Sequence, residues 1–208
     1  MESVFSFGAF GVVMLLAAIS PGPDFLVVVK NSLGYSRSIG IVTALGVGSA
    51  IFVHVAYTIV GIGLIVSQSI LIFSVIKILG AVYLCYLGLS LLRAKEQKIE
   101  LEQTQRLSDK TVWGAFREGF LTNLLNPKAA VFFVSVFSQI VSPKLPLFLQ
   151  SLYGIEAAII VSVWFSLLAV ILSYSAIRNV FGKFQTRMLQ IMGVALILLG
   201  IRLAFSKQ

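Results

Sequence analysis

Apolar residues fill this chain in long runs, and polar residues collect between the runs rather than alternating within them. A membrane-spanning helix needs about 20 mostly apolar residues. The sequence predicts six such spans: Phe5 to Val29, Ile39 to Ser67, Leu71 to Leu92, Val112 to Val141, Leu147 to Tyr174 and Met188 to Phe205. The second and third divide at Ser67-Gln68-Ser69, where polarity peaks. The first and fourth are interrupted by helix-breaking runs, Ser20-Pro21-Gly22-Pro23-Asp24 and Asn126-Pro127-Lys128. Proline removes a backbone donor and clashes with the preceding turn. In lipid, broken backbone survives only inside protein or along a cavity.

The layout repeats. One broken span opens each half, and the third and sixth spans carry similar strings, Gly80 to Gly88 and Gly193 to Gly200, matched with a one-residue gap. Three spans per half is an odd number, so the halves are expected to lie upside down to each other. The expectation is an all-α integral membrane protein of six transmembrane helices, in two inverted three-helix repeats with helices 1 and 4 broken. Residues 1–208 form one transporter domain: a first half, 1–93, a cytoplasmic linker, 94–111, and a second half, 112–208.

Composition agrees. The chain has 208 residues, 58% hydrophobic and 12% charged, about half the charge of a soluble domain. A net charge of +8 does not indicate nucleic acid, because the basic residues lie between spans rather than on one folded face. They set orientation instead. Lys30 and Arg37 flank the first loop, Arg93 to Arg117 crowd the third, and Arg178, Lys183 and Arg187 fill the fifth. Those loops should face the cytoplasm, with both termini outside. Arg202 and Lys207 weigh weakly against this. No Lys or Arg precedes the first span, so that span is expected to stay in the membrane rather than be cleaved as a signal. Cys85 is the single cysteine, so neither an intramolecular disulfide nor a thiolate metal site is expected.

The breaks carry the chemistry. Pro21 and Pro23 should free carbonyls about one turn earlier, near Ala17 and Ile19. Pro23 suits the first position of a new helix, and Asp24 then lies in its first turn, where the dipole favours an anion. At the second break Asn126 can cap, Pro127 opens a helix and Lys128 occupies its first turn, where a cation is disfavoured. Asp24, Glu156 or an anionic ligand group must compensate Lys128. An α-amino acid fits such a site. Its carboxylate would meet Lys128 and a helix N-terminus, and its ammonium would meet freed carbonyls and Asp24. A plain kink at Asp24, or a structural ion pair at Lys128, is the competing reading.

Glu156 and His54 lie within spans. With Asp24 they are the proton-coupling candidates. Structural pairing competes with that role for both. Lys77 is expected to snorkel outward. Asn31, Asn123 and Asn126 are polar enough to bond a substrate or to bridge helices. Gly40, Ala44 and Gly48, and Gly80 with Gly88, mark close-packing faces; whether these serve a homodimer or internal packing stays open. No metal site or cofactor is expected.

Ser20 to Phe25, Gly46-Val47-Gly48 to His54, Gly80 to Gly88, and Phe116-Arg117-Glu118-Gly119-Phe120 through Asn126-Pro127-Lys128-Ala129 together resemble the LysE/RhtB family of bacterial inner-membrane amino-acid exporters. The resemblance covers nearly the whole chain. It implies efflux driven by the proton-motive force, and it places the family's proline motifs on Pro21, Gly22, Pro23, Asp24, Asn126, Pro127 and Lys128, with Ser20 beside them. The expected function is a secondary transporter exporting an amino acid or related small metabolite from the cytoplasm by proton antiport. An inorganic cation exporter and a non-transporting membrane scaffold are the alternatives. A membrane enzyme is disfavoured because no activated nucleophile with a base in reach is visible.

Overall fold

The structure is a computed structural model. It describes residues 2–68, 70–93, 110–137, 141, 145–172, 187, 190–191, 193–198, 200–201 and 204–205. The 94–109 part of the linker and the Lys77 side chain lie outside the described residues. No strand occurs among the described residues. The helices are α1 (Glu2–Ile19), α2 (Pro23–Gly34), α3 (Arg37–Gln68), α4 (Ile70–Leu92), α5 (Val112–Leu124), α6 (Pro127–Phe132) and α7 (Leu147–Leu172). A π-helical stretch, Phe133–Phe137, continues α6. The described residues of the last predicted span are helical.

Both breaks fall where the prolines stand. α1 stops at Ile19 and the chain turns by 62° into α2, which Pro23 opens. α5 ends at Leu124, and Asn126 caps α6 by accepting the Lys128 backbone N–H at 3.0 Å. Pro127 occupies the first turn, where a missing N–H is harmless. α3 begins at Arg37, earlier than the expected Ile39, because Ser36 caps it through the Ile39 N–H at 3.2 Å. The π-helical turn was not foreseen.

Among the described residues, α7 and the Arg37–Gly61 stretch of α3 are long and apolar enough to cross a membrane, with mean hydropathies of 2.5 and 2.0. The bent α1–α2 pair adds a third such segment. At about 1.5 Å per residue, α7 is longer than a ~30 Å hydrocarbon core is thick. Large apolar side chains such as Val60, Leu79, Val82, Ile159 and Leu167 face outward from α3, α4 and α7. That surface suits lipid.

α3 is the hub, packed chiefly against α5 and α7. Backbones approach closely there. A Cβ on Gly119 would strike the Thr43 carbonyl, and one on Gly46 would strike the Phe116 carbonyl. Gly48 lies against Ser162 and Ala158 of α7. α4 meets the last helix through Gly88 and Gly193, where added Cβ atoms would come within 2.5 and 2.6 Å of the opposite carbonyl. The small-residue faces at Gly40–Gly48 and Gly88 therefore serve packing within the chain. These contacts hold α3 close against α5 and α7, and α2 packs on both α3 and α5.

Candidate functional site

Each break receives the charge of the other. Lys128 begins α6, the wrong end of a helix for a cation, but its side chain crosses to the end of α1. There Nζ donates to the carbonyls of Ser20, at 3.0 Å, and Pro21, at 3.2 Å, and to the Ser20 hydroxyl. A cation beyond a helix C-terminus is favoured by the dipole, which resolves the local conflict. The engaged carbonyls are not those of Ala17 and Ile19. The chain leaves the helical path after Ile19, and the residues beyond it turn their oxygens toward Lys128.

Asp24 is held from the opposite side. Its Oδ2 accepts Nδ2 of Asn123 at 2.9 Å and Nδ2 of Asn126 at 3.0 Å. Its Oδ1 is buried and has no partner. Asn123 is only 3% exposed, and its Oδ1 is also buried without a partner. Asp24 and Lys128 line one cavity of about 50 Å³ without forming a direct ion pair. The cavity has room for a few water molecules. Ser20, Gly22, Asn123 and Asn126 complete its polar rim, and Met14, Ile51, Phe132, Phe133 and Phe165 supply an apolar wall. Pro23 and Pro127 shape the breaks without lining the cavity, and Pro21 contributes its carbonyl. Two larger grooves on the outer surface are almost wholly apolar and bear no charge.

The other sequence candidates lie apart. His54 is buried behind the wall, its ring stacked on Phe133 at 5.5 Å. Its Nε2 meets the Asn123 carbonyl at 3.1 Å and its Nδ1 the Tyr57 hydroxyl at 2.7 Å. It therefore reaches Asp24 through Asn123 and does not line the cavity. Glu156 faces α1, with Oε1 2.8 Å from the position of a Cβ on Gly11, and its Oε2 is buried without a partner. Neither Glu156 nor Asn31 reaches the cavity. Asn31 belongs to a second polar cluster, built on Glu118, that the sequence did not single out. Lys30 pairs with Glu118 Oε1 at 3.0 Å, Asn31 donates to Oε2 at 2.7 Å, and Lys110 pairs with Oε2.

Similarity to known proteins follows the same motifs. The LysE type translocator family model matches residues 15–207, both breaks included. The threonine efflux protein of Escherichia coli (strain K12) is 31% identical over 178 residues, 80% of this chain and 82% of its own. The uncharacterized membrane protein YrhP of Bacillus subtilis (strain 168) is 28% identical over 92% of this chain and 94% of its own. The leucine efflux protein of Salmonella choleraesuis (strain SC-B67) is 34% identical over 69% and 66%. No solved structure matches significantly. This chain, a multi-pass membrane protein, belongs to the LysE type translocator family.

Proposed function

We propose that this protein is a secondary transporter that exports an amino acid, or a related small metabolite, from the cytoplasm in exchange for protons. The observation that carries the reading is the meeting of two opposite charges, Asp24 and Lys128, at two helix breaks around one cavity with a polar rim and an apolar wall. A zwitterion needs that pairing of charges, and an apolar wall suits its side chain. Export by relatives named for threonine and leucine efflux supports the substrate class. Asp24, with one oxygen unpartnered, is the leading proton carrier. A proton and a substrate amine would use the same oxygen, so loading one displaces the other.

The proposed setting is a bacterial inner membrane, with six spans in two inverted halves, 1–93 and 112–208, and the basic linker 94–111 in the cytoplasm. Rocking of one half against the other would expose the cavity alternately. An inorganic cation is the weaker reading, because Asp24 stands among amides and an ammonium rather than further carboxylates.

The test is efflux of labelled amino acids from dipeptide-loaded cells, with membrane insertion measured in parallel. Efflux that collapses with an uncoupler, and in inserted Asp24→Asn and Lys128→Gln, is expected. Wild-type efflux in both variants would place the site elsewhere, and no efflux from the intact protein would favour another solute first and a scaffold after that.

A further inference from the structure

Carbonyls near Ala17 and Ile19 were the expected seat for a substrate ammonium, but the carbonyls turned toward the site are those of Ser20 and Pro21, and Lys128 engages both. Two of the residues that line the cavity instead carry buried acceptors without donors, Asp24 Oδ1 and Asn123 Oδ1. Their side chains are already joined through Asn123 Nδ2 and Asp24 Oδ2, which fixes both groups. Buried acceptors are nearly always satisfied, and leaving two open at one place marks where a donor belongs. Asn123 is also clamped from behind, since its carbonyl meets His54 and its neighbour in the rim, Asn126, is tied to α6 by its capping bond.

We infer that Asp24 and Asn123 together form the amine subsite of this transporter, with Asn123 a specificity-determining residue that selects a protonated amine bearing N–H donors. The assignment rests on the amino-acid reading of the cavity. A primary ammonium carries its charge to Asp24 and points separate N–H groups at the two open oxygens. A carboxylate alone would leave Asp24 charged and both acceptors unpaired. A hydroxyl in place of the amine brings one donor and no charge. A quaternary amine brings charge and no donor. The subsite therefore discriminates on both properties, while Lys128 and the apolar wall deal with the rest of the ligand.

The experiment is binding to the purified full-length protein by equilibrium dialysis. Threonine and leucine are each compared with the α-hydroxy acid that replaces the amine by a hydroxyl, on wild type and Asn123→Ala. Charge-assisted hydrogen bonds of this kind set the expected preference of wild type for the amine at about 10-fold or more. Asn123→Ala should shrink that preference severalfold, by weakening the amino acids more than the hydroxy acids. Should Asn123→Ala not fold, N-trimethylated leucine on wild type replaces it, and is expected to bind about 10-fold more weakly than leucine. An unchanged preference in Asn123→Ala, or equal affinity for the trimethylated compound, would overturn the subsite and leave the transport reading standing. Failure of both amino acids to bind wild type, with no efflux in cells, would overturn both.

Discussion

Asp24 and Glu118 are two carboxylates on broken spans, each beside an asparagine and each within reach of a lysine's charge. Glu118 has every oxygen engaged: Lys30 on Oε1, Asn31 and Lys110 on Oε2. Asn31, fully buried, donates to Thr43 at 2.9 Å as well as to Glu118 and accepts from Lys110 at 3.1 Å. Around Asp24 the bonding stops short. Two amides converge on Oδ2, while Oδ1 and the Asn123 oxygen are left open. A closed polar network stiffens the helices it joins, here α2, α3 and α5. An open buried acceptor costs about 1–3 kcal/mol. The contrast separates a closed clamp from a cluster with two acceptors to spare, which the proposed site would fill with a ligand's donors.

The sharpest break in that contrast would come from the charges themselves. Asp24→Asn and Lys128→Gln should each weaken substrate binding about 10-fold or more. The unfolding temperature of Asp24→Asn in detergent should move little, and that of Lys128→Gln should fall as the Ser20 and Pro21 carbonyls lose their donor. Glu118→Gln should do the reverse of Asp24→Asn, removing about 1–3 kcal/mol of stability through Lys30 and Lys110 left without their anion, with substrate affinity kept. A Glu118→Gln protein that unfolds like wild type and no longer binds would dissolve the distinction. His54→Phe preserves the stack on Phe133 and loses the bonds to Asn123 and Tyr57. Efflux should slow yet stay sensitive to an uncoupler; insensitivity would move the proton from Asp24 to His54. The smallest effect is expected of Lys30→Ala, whose ion pair is half exposed, at under about 1 kcal/mol by thermal unfolding.

The breaks were legible because their cause is local. Pro21, Pro23 and Pro127 act on the turn that contains them, and Asn126 caps a backbone N–H two residues away. The apolar runs were legible for the same reason. Asn123 was visible only as one of several asparagines, since nothing within a turn of it shows that its amide faces Asp24, 99 residues away. Glu118 looked like part of a motif rather than the centre of a network, because its partners come from α2 and from the segment before α5. Lys128 was expected to be compensated by Asp24, Glu156 or a ligand anion. Its unfavourable place in α6 was correctly read, but its receiver is a pair of carbonyls in the other half of the chain.

Sequence alone determined that this is a helical membrane protein with two charged breaks, because hydropathy, proline geometry and capping act over a few residues. Tertiary structure alone decided that the breaks face each other, that Lys128 is satisfied and Asp24 is not, and that Glu156 and His54 stand outside the cavity. Those outcomes depend on how closely backbones approach at Gly46, Gly119 and Gly88, where the absence of a side chain sets the distance between helices. Which polar atoms then meet, and which are left without a partner, follows from that distance.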